Sequence, residues 1–381
     1  MRKKVLFFAN ALYGGGAERI LQIVLKNLGD STYDITLYSL HKETLSDLYP
    51  SNIKYHYIYD SISKEDSFFK KFYVRLCNKL KLLINYHFSA RWFYYLFVKG
   101  NYDTEVAFIE GDATRIVSGS TNRKSKKIAW VHIDLKNNHW TKIAYRTCEE
   151  EKNSYEKFDK VECVSETVRQ SFLELFCRRK VTEVCYNPID EHLIRNLALE
   201  RNVDRELLSS RFTMISVGRL VAQKGYDRLL KVVRFLKEEG YVFSLNILGE
   251  GFDRKQLEQY IKDNKLNDCV RLIGFCKNPY VYLKQADLFV CSSRSEGYST
   301  VVTESLILGI PVVATNCSGM YELLGNNEYG LVTENNEQGL MQGILKMMNN
   351  ESVYQHYKHK AIERGQHFSL KVLMSNIETI L

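Results

Sequence analysis

Two spacings of apolar residues take turns along the chain. Short continuous runs at 5–9, 35–39, 105–109, 128–131 and 161–164 lack polar alternation, which is the pattern of parallel strands buried on both faces. Helical spacing follows the first of them, with Ile20, Leu21, Val24, Leu25 and Leu28 on one stripe. A second series repeats the pattern. Runs at 213–217, 244–248, 270–273, 288–290 and 312–314 predict strands. Leu229, Leu230 and Val233, then 253–262 and 281–285, predict the helices between them. Strand–helix alternation of this kind predicts a parallel α/β sheet in each series.

The chain has only four prolines, and Pro188 lies between the two series in Tyr186-Asn187-Pro188-Ile189-Asp190. Proline pushes the residue before it extended, so this stretch reads as a linker between residues 1–187 and 188–366. At 381 residues the chain is long for one domain and ample for two. Open α/β sheets bind ligands beyond the carboxyl ends of their strands. Both glycine loops fall at such ends: Gly14-Gly15-Gly16 after the first strand, and the segment from Gly218 to Gly225 after strand 213–217.

Composition is that of a soluble globular protein, at 45% hydrophobic and 26% charged. No uncharged apolar run reaches the length of a membrane-spanning helix. The basic N-terminus leads through a short apolar run into glycines, so it reads as strand and loop, not as a leader, and a cytoplasmic location is expected. Nine scattered cysteines without a Cys-x-x-Cys pair suit neither a disulfide framework nor a zinc site, and small core residues are expected instead. Residues 1–187 hold 30 Lys+Arg against 22 Asp+Glu, while the remainder balances at 23 and 23, so the net charge of +8 sits in the first half. A basic half points to an anionic partner.

The most informative stretch is 294–322, RSEGYSTVVTESLILGIPVVATNCSGMYE. Glu296 lies in a loop after strand 288–290. Gly297, Tyr298, Ser299 and Thr300 turn the chain, and Glu304 lies on the following helix. A helix N-terminus offers free N–H groups and partial positive charge, which suits a phosphate. A carboxylate two turns on can accept sugar hydroxyls. An ordinary strand–helix–strand unit with two solvated glutamates is the plain alternative.

This stretch resembles the Glu-x7-Glu motif of retaining GT-B glycosyltransferases of family four, including the Glu-Gly, Gly-x-Pro-Val-Val-Ala and Ser-Gly-x-x-Glu flanks. The resemblance implies an α/β GT-B fold: two Rossmann-like, doubly wound domains facing across a cleft, with residues 367–381 crossing back onto the first. It implies a metal-independent transferase with no cofactor, moving a hexose or N-acetylhexosamine from a UDP-sugar to a lipid-linked, polyprenyl-linked or growing cell-surface glycan. The Gly-Arg-x5-Gly loop would place Arg219 and Lys224 on the diphosphate. No Asp-x-Asp metal motif occurs, so cations and backbone donors must meet that charge. Glu296 would bind sugar hydroxyls, Gly297 to Thr300 the phosphates, and Glu304 the ribose. Gly15 and Gly16 would let the backbone approach donor or acceptor, and His132, after Trp130-Val131, would lie beside the hexose. Asp134 is a weaker candidate, with capping an equal alternative. Asn316-Cys317-Ser318 departs from the Asp-containing form of the family. An epimerase on the same fold and a non-catalytic sugar-binding subunit are the rivals.

Residues 64–100 carry eight basic and two acidic residues among many aromatics. They read either as an interfacial element on an anionic membrane surface, which would place the protein peripherally on the inner face of the cell membrane, or as helices covering the sheet with aromatics inward. Nucleic acid is not expected, because no recognition motif accompanies them.

Overall fold

A computed structural model describes residues 2–45, 49–176, 181–200, 207 and 212–381. The chain divides into two compact units, one of Met1–Pro188 with Lys371–Leu381 and one of Ile189–Leu370.

Unit 1 is built on a parallel sheet of β1 (Lys3–Ala9), β2 (Tyr33–His41), β3 (Lys54–Tyr59), β4 (Thr104–Ala107), β5 (Lys126–Val131), β6 (Lys160–Cys163) and β7 (Val181–Val184). Their order is β3-β2-β1-β4-β5-β6-β7. Val5 to Ala9 are wholly buried because helices cover both sheet faces. Strands β3 and β7 lie at the edges, and their polar residues explain why apolar runs did not reveal them. The helix Leu370–Ile380 belongs to this unit through buried Met374, Ile377 and Ile380. Thr104 Oγ1 and Lys126 Nζ donate to the carbonyls of Leu381 and Ile380.

Unit 2 holds β8 (Thr213–Val217), β9 (Ser244–Leu248), β10 (Val270–Gly274), β11 (Leu288–Cys291), β12 (Val312–Thr315) and β13 (Leu331–Thr333). The order is β10-β9-β8-β11-β12-β13, again with parallel neighbours. Its core packs Leu229, Leu230 and Val233 of the helix Tyr226–Glu238 against Met214, Leu245 and Val290.

The aromatics of 64–100 mostly face outward, which overturns the inward packing considered above. Helix Phe68–His87, capped by Ser67 accepting from the Lys70 amide, buries only Val74. Helix Ala90–Phe97 turns Phe93 and Tyr94 inward and leaves Trp92 and Tyr95 exposed. No helix of the described residues is long and apolar enough to cross a membrane. All eight described cysteines are free, but only four are buried, fewer than a core role for most of them requires.

Candidate active site

In unit 2 the strand order reverses between β8 and β11, and a crevice opens beyond their carboxyl ends at such a reversal. Two loops occupy it. The β8 loop runs through Arg219 and a single 3-10 turn, Ala222–Lys224, to Gly225. The β11 loop runs from Ser292 to the helix Thr300–Ile307. Gly225 has φ +67°, and a Cβ there would lie 2.2 Å from the Ser292 carbonyl oxygen, so only glycine lets the loops touch.

The contact brings Lys224 to Glu296. Lys224 Nζ lies 2.6 Å from Glu296 Oε1, with side-chain exposures of 20% and 10%. Ser293 Oγ donates to the same oxygen at 2.5 Å. Burial by itself would lower the Lys224 pKa. The Glu296 carboxylate outweighs burial and carries the net shift upward, so the ammonium stays charged. A cavity of about 10 Å³, room for about one water, lies beneath the pair among Ser216, Tyr226, Phe289 and Cys291. Arg219 is exposed and forms no ion pair among the described residues.

Glu304 is buried on the helix Thr300–Ile307. At that helix's start Ser299 makes no side-chain cap, so its hydroxyl does not occupy the first-turn N–H groups. Gly297 and Ser299 are buried, while Tyr298 and Thr300 are half-buried. Gly319 (φ +78°) packs so close to Gly297 that a Cβ would come within 2.4 Å of its carbonyl oxygen. The Ser-Gly-x-x-Glu flank therefore supports the turn after Glu296.

Sequence reasoning missed Arg228, which ties the crevice together. It is buried, and its Nε donates to the Ser292 carbonyl at 2.8 Å. Nη2 donates to the Ser293 carbonyl at 2.6 Å, and Nη1 to the Asn335 carbonyl at 3.2 Å. The signal was a lone arginine on an apolar stripe. On the outside, the bidentate pair of Arg294 with Asp227, at 2.7 Å for both bonds, ties the β11 loop to the start of the helix Tyr226–Glu238, and Arg294 Nη1 also donates to the Ala222 carbonyl of the β8 loop at 2.6 Å.

In unit 1, Gly14 (φ +104°) and Gly15 precede the helix Gly16–Asn27, and Glu18 folds back against Gly15. His132, at the end of β5, donates from Nε2 to the Phe108 carbonyl at 2.8 Å, since a carbonyl can only accept. Burial pushes its pKa down to about 4, so the imidazole is neutral at pH 7 and Nδ1 is an acceptor. The His132 amide donates to Glu110 Oε2 at 3.0 Å. Glu110 is a second residue the sequence did not reveal. Burial raises its carboxyl to about 7, against the lowering effect of that bond. Asp134 accepts from the amides of Lys136 and Asn137 and so caps its own turn.

Residues 200–366 match the family model described as glycosyl transferases group 1. Over this segment the chain is similar to group 1 glycosyl transferases. The matched segment contains Arg219, Lys224, Arg228, Glu296 and Glu304. Among relatives is the N-acetylgalactosamine-N,N'-diacetylbacillosaminyl-diphospho-undecaprenol 4-alpha-N-acetylgalactosaminyltransferase of Campylobacter jejuni. It is 37% identical over 191 residues, 50% of each chain. An uncharacterized glycosyltransferase of Haemophilus influenzae is 24% identical over the whole of both chains. The match thus spans about half the length of the first relative and all of the second. Among solved structures, HepE of Anabaena in complex with UDP and glucose has a TM-score of 0.74 at 18% identity, covering 100% of this chain and 99% of that one. Sucrose-phosphate synthase from Thermosynechococcus elongatus also reaches 0.74, at 14% identity, covering 100% and 98%. At such identities the likeness is one of fold, and that fold is GT-B, with two Rossmann-like parallel sheets.

Proposed function

We propose that the protein is a retaining, metal-independent glycosyltransferase. It moves a hexose or N-acetylhexosamine from a UDP-sugar to a lipid-linked or growing cell-surface glycan. The observation that carries this reading is the Lys224–Glu296 pair at the strand-order reversal, with Arg219 exposed beside it. A departing diphosphate needs positive charge held in place before it forms. Lys224 is charged and fixed by Glu296, while Arg219 is free to reach the ligand. In this reading the amides from Gly297 to Thr300 bind phosphate and Glu304 binds the ribose. Glu296, anchored through Oε1, offers Oε2 to sugar hydroxyls. His132 meets the sugar as a neutral acceptor, not as a cation, and Gly15 with Gly16 forms the close-approach edge of unit 1. UDP in HepE and the undecaprenol-linked substrate of the Campylobacter relative support the donor and acceptor classes.

Incubating the protein with a panel of UDP-sugars tests this. Slow release of UDP and free sugar, with the α or β configuration of the donor kept in the first product, supports the proposal. Formation of a new UDP-sugar, or binding without turnover, overturns it.

A further inference from the structure

Helix Phe68–His87 is attached to unit 1 inside out. Its inward stripe is Lys71, Val74, Asn78, Lys81 and Asn85, and most of these side chains hold the fold through polar bonds. Asn78 accepts from the Asp60 amide and donates to its carbonyl, at 3.1 and 2.8 Å. Lys81 donates to the Ile58 carbonyl at 2.6 Å, and Asn85 accepts from the buried Arg115 at 2.5 Å. The opposite stripe is apolar and open to solvent. Phe69 is 83% exposed, Tyr73 67% and Phe72 61%, and Trp92 on the next helix is 58% exposed. A soluble helix normally does the reverse, and an exposed apolar surface of this extent marks an interaction site.

Charge says what covers it. No acidic residue occurs between positions 67 and 102. Arg75 and Lys79 flank the apolar stripe and Arg91 precedes Trp92; all three are exposed and make no ion pair among the described residues. Apolar side chains bordered by unpaired cations match a lipid–water boundary with anionic headgroups, where long basic side chains reach up while the aromatics sink. A protein–protein interface is depleted of lysine relative to the rest of the surface, whereas Lys79 lies at this one.

We propose that the outward face of helices Phe68–His87 and Ala90–Phe97 inserts into an anionic bilayer surface. The 20-residue helix lies in the membrane plane, held by Asn78, Lys81 and Asn85 on its upper side. Lipid docking deepens the proposed lipid-linked acceptor and rests on it, but vesicle binding is measured apart from sugar transfer.

The full chain is sedimented with vesicles of phosphatidylcholine alone or mixed equally with phosphatidylglycerol. Binding to the mixed vesicles is expected, with a blue shift of tryptophan emission that Trp92→Phe removes without removing binding. R75E/K79E/R91E should weaken binding by more than about tenfold, and F69S/F72S should abolish it. All five side chains are exposed, so both variants should keep wild-type thermal unfolding. Equal sedimentation of wild type and variants overturns the proposal. So does a concentration-dependent dimer that F69S/F72S dissolves while vesicles bind nothing, since a second copy would then be the occupant. Vesicle binding together with absent UDP-sugar turnover would sink the transferase reading alone.

Discussion

Replacing Lys224 by methionine separates the two things this residue does. Glu296 Oε1 receives Lys224 at 2.6 Å and Ser293 at 2.5 Å. Without the ammonium, a nearly buried carboxylate keeps only the serine. Breaking a fully buried pair costs about 3–5 kcal/mol, because the remaining charge is stranded. Exposures of 20% and 10% admit some water here, so roughly 2–3 kcal/mol is expected. In a domain of this size that lowers the midpoint of thermal unfolding by about 5–10 °C. Catalysis should fall separately. A preorganised cation facing a leaving diphosphate contributes about 2–4 kcal/mol to the transition state, so kcat/KM for the donor should drop by roughly 30- to 1000-fold. The double variant Lys224→Met/Glu296→Gln removes the stranded charge. It should regain most of the stability and none of the rate. Donor turnover and differential scanning fluorimetry, run on the wild type and both variants, read both quantities. Wild-type turnover in Lys224→Met, or recovered turnover in the double variant, would refute the assignment to the diphosphate.

Arg228→Met should destabilise unit 2 by about 3–5 kcal/mol, because the carbonyls of Ser292 and Asn335 lose this donor, while that of Ser293 keeps only Thr315 and Cys317. Turnover should fall with it, and an unchanged melting profile would show that the arginine is not a clamp. Glu110 holds a proton in the folded state between its ordinary 4.5 and about 7, so it makes stability fall as pH rises through that window. His132, lowered to about 4, works oppositely between about 4 and 6.5, where the unfolded state binds the extra proton. Glu110→Gln should therefore gain on wild type with rising pH, by up to about 3 kcal/mol between pH 4.5 and 8; a pH-independent difference in urea unfolding would contradict this. Chelators should leave donor turnover unchanged, since Lys224 and Arg219 supply the charge, and loss of rate restored by Mg2+ or Mn2+ would count against metal independence.

Apolar runs were enough to locate the central strands of both sheets, because a strand covered on both faces is mostly apolar. The edge strands β3, β7 and β13 escaped for the same reason, whereas β10, also at an edge, was found from its run at 270–273. In β3, Lys54, His56 and alternating tyrosines face partial solvent, so no run forms. Glu296, Lys224 and Gly225 were legible because backbone approach and charge restrict those positions to few residue types. Arg228 and Glu110 were not, because their partners are backbone carbonyls and amides, which every sequence possesses.

The order of strands, and so the reversal between β8 and β11 that brings positions 224 and 296 together, exists only once the sheet is assembled. Pairing between strands far apart in the chain is set by packing that no local pattern encodes. The same limit applies to residues 64–100. Their mixture of cations and aromatics was evident from the chain alone, but which stripe faces the protein was decided by Asp60, Ile58 and Arg115, whose polar groups capture Asn78, Lys81 and Asn85 and so turn the phenylalanines outward.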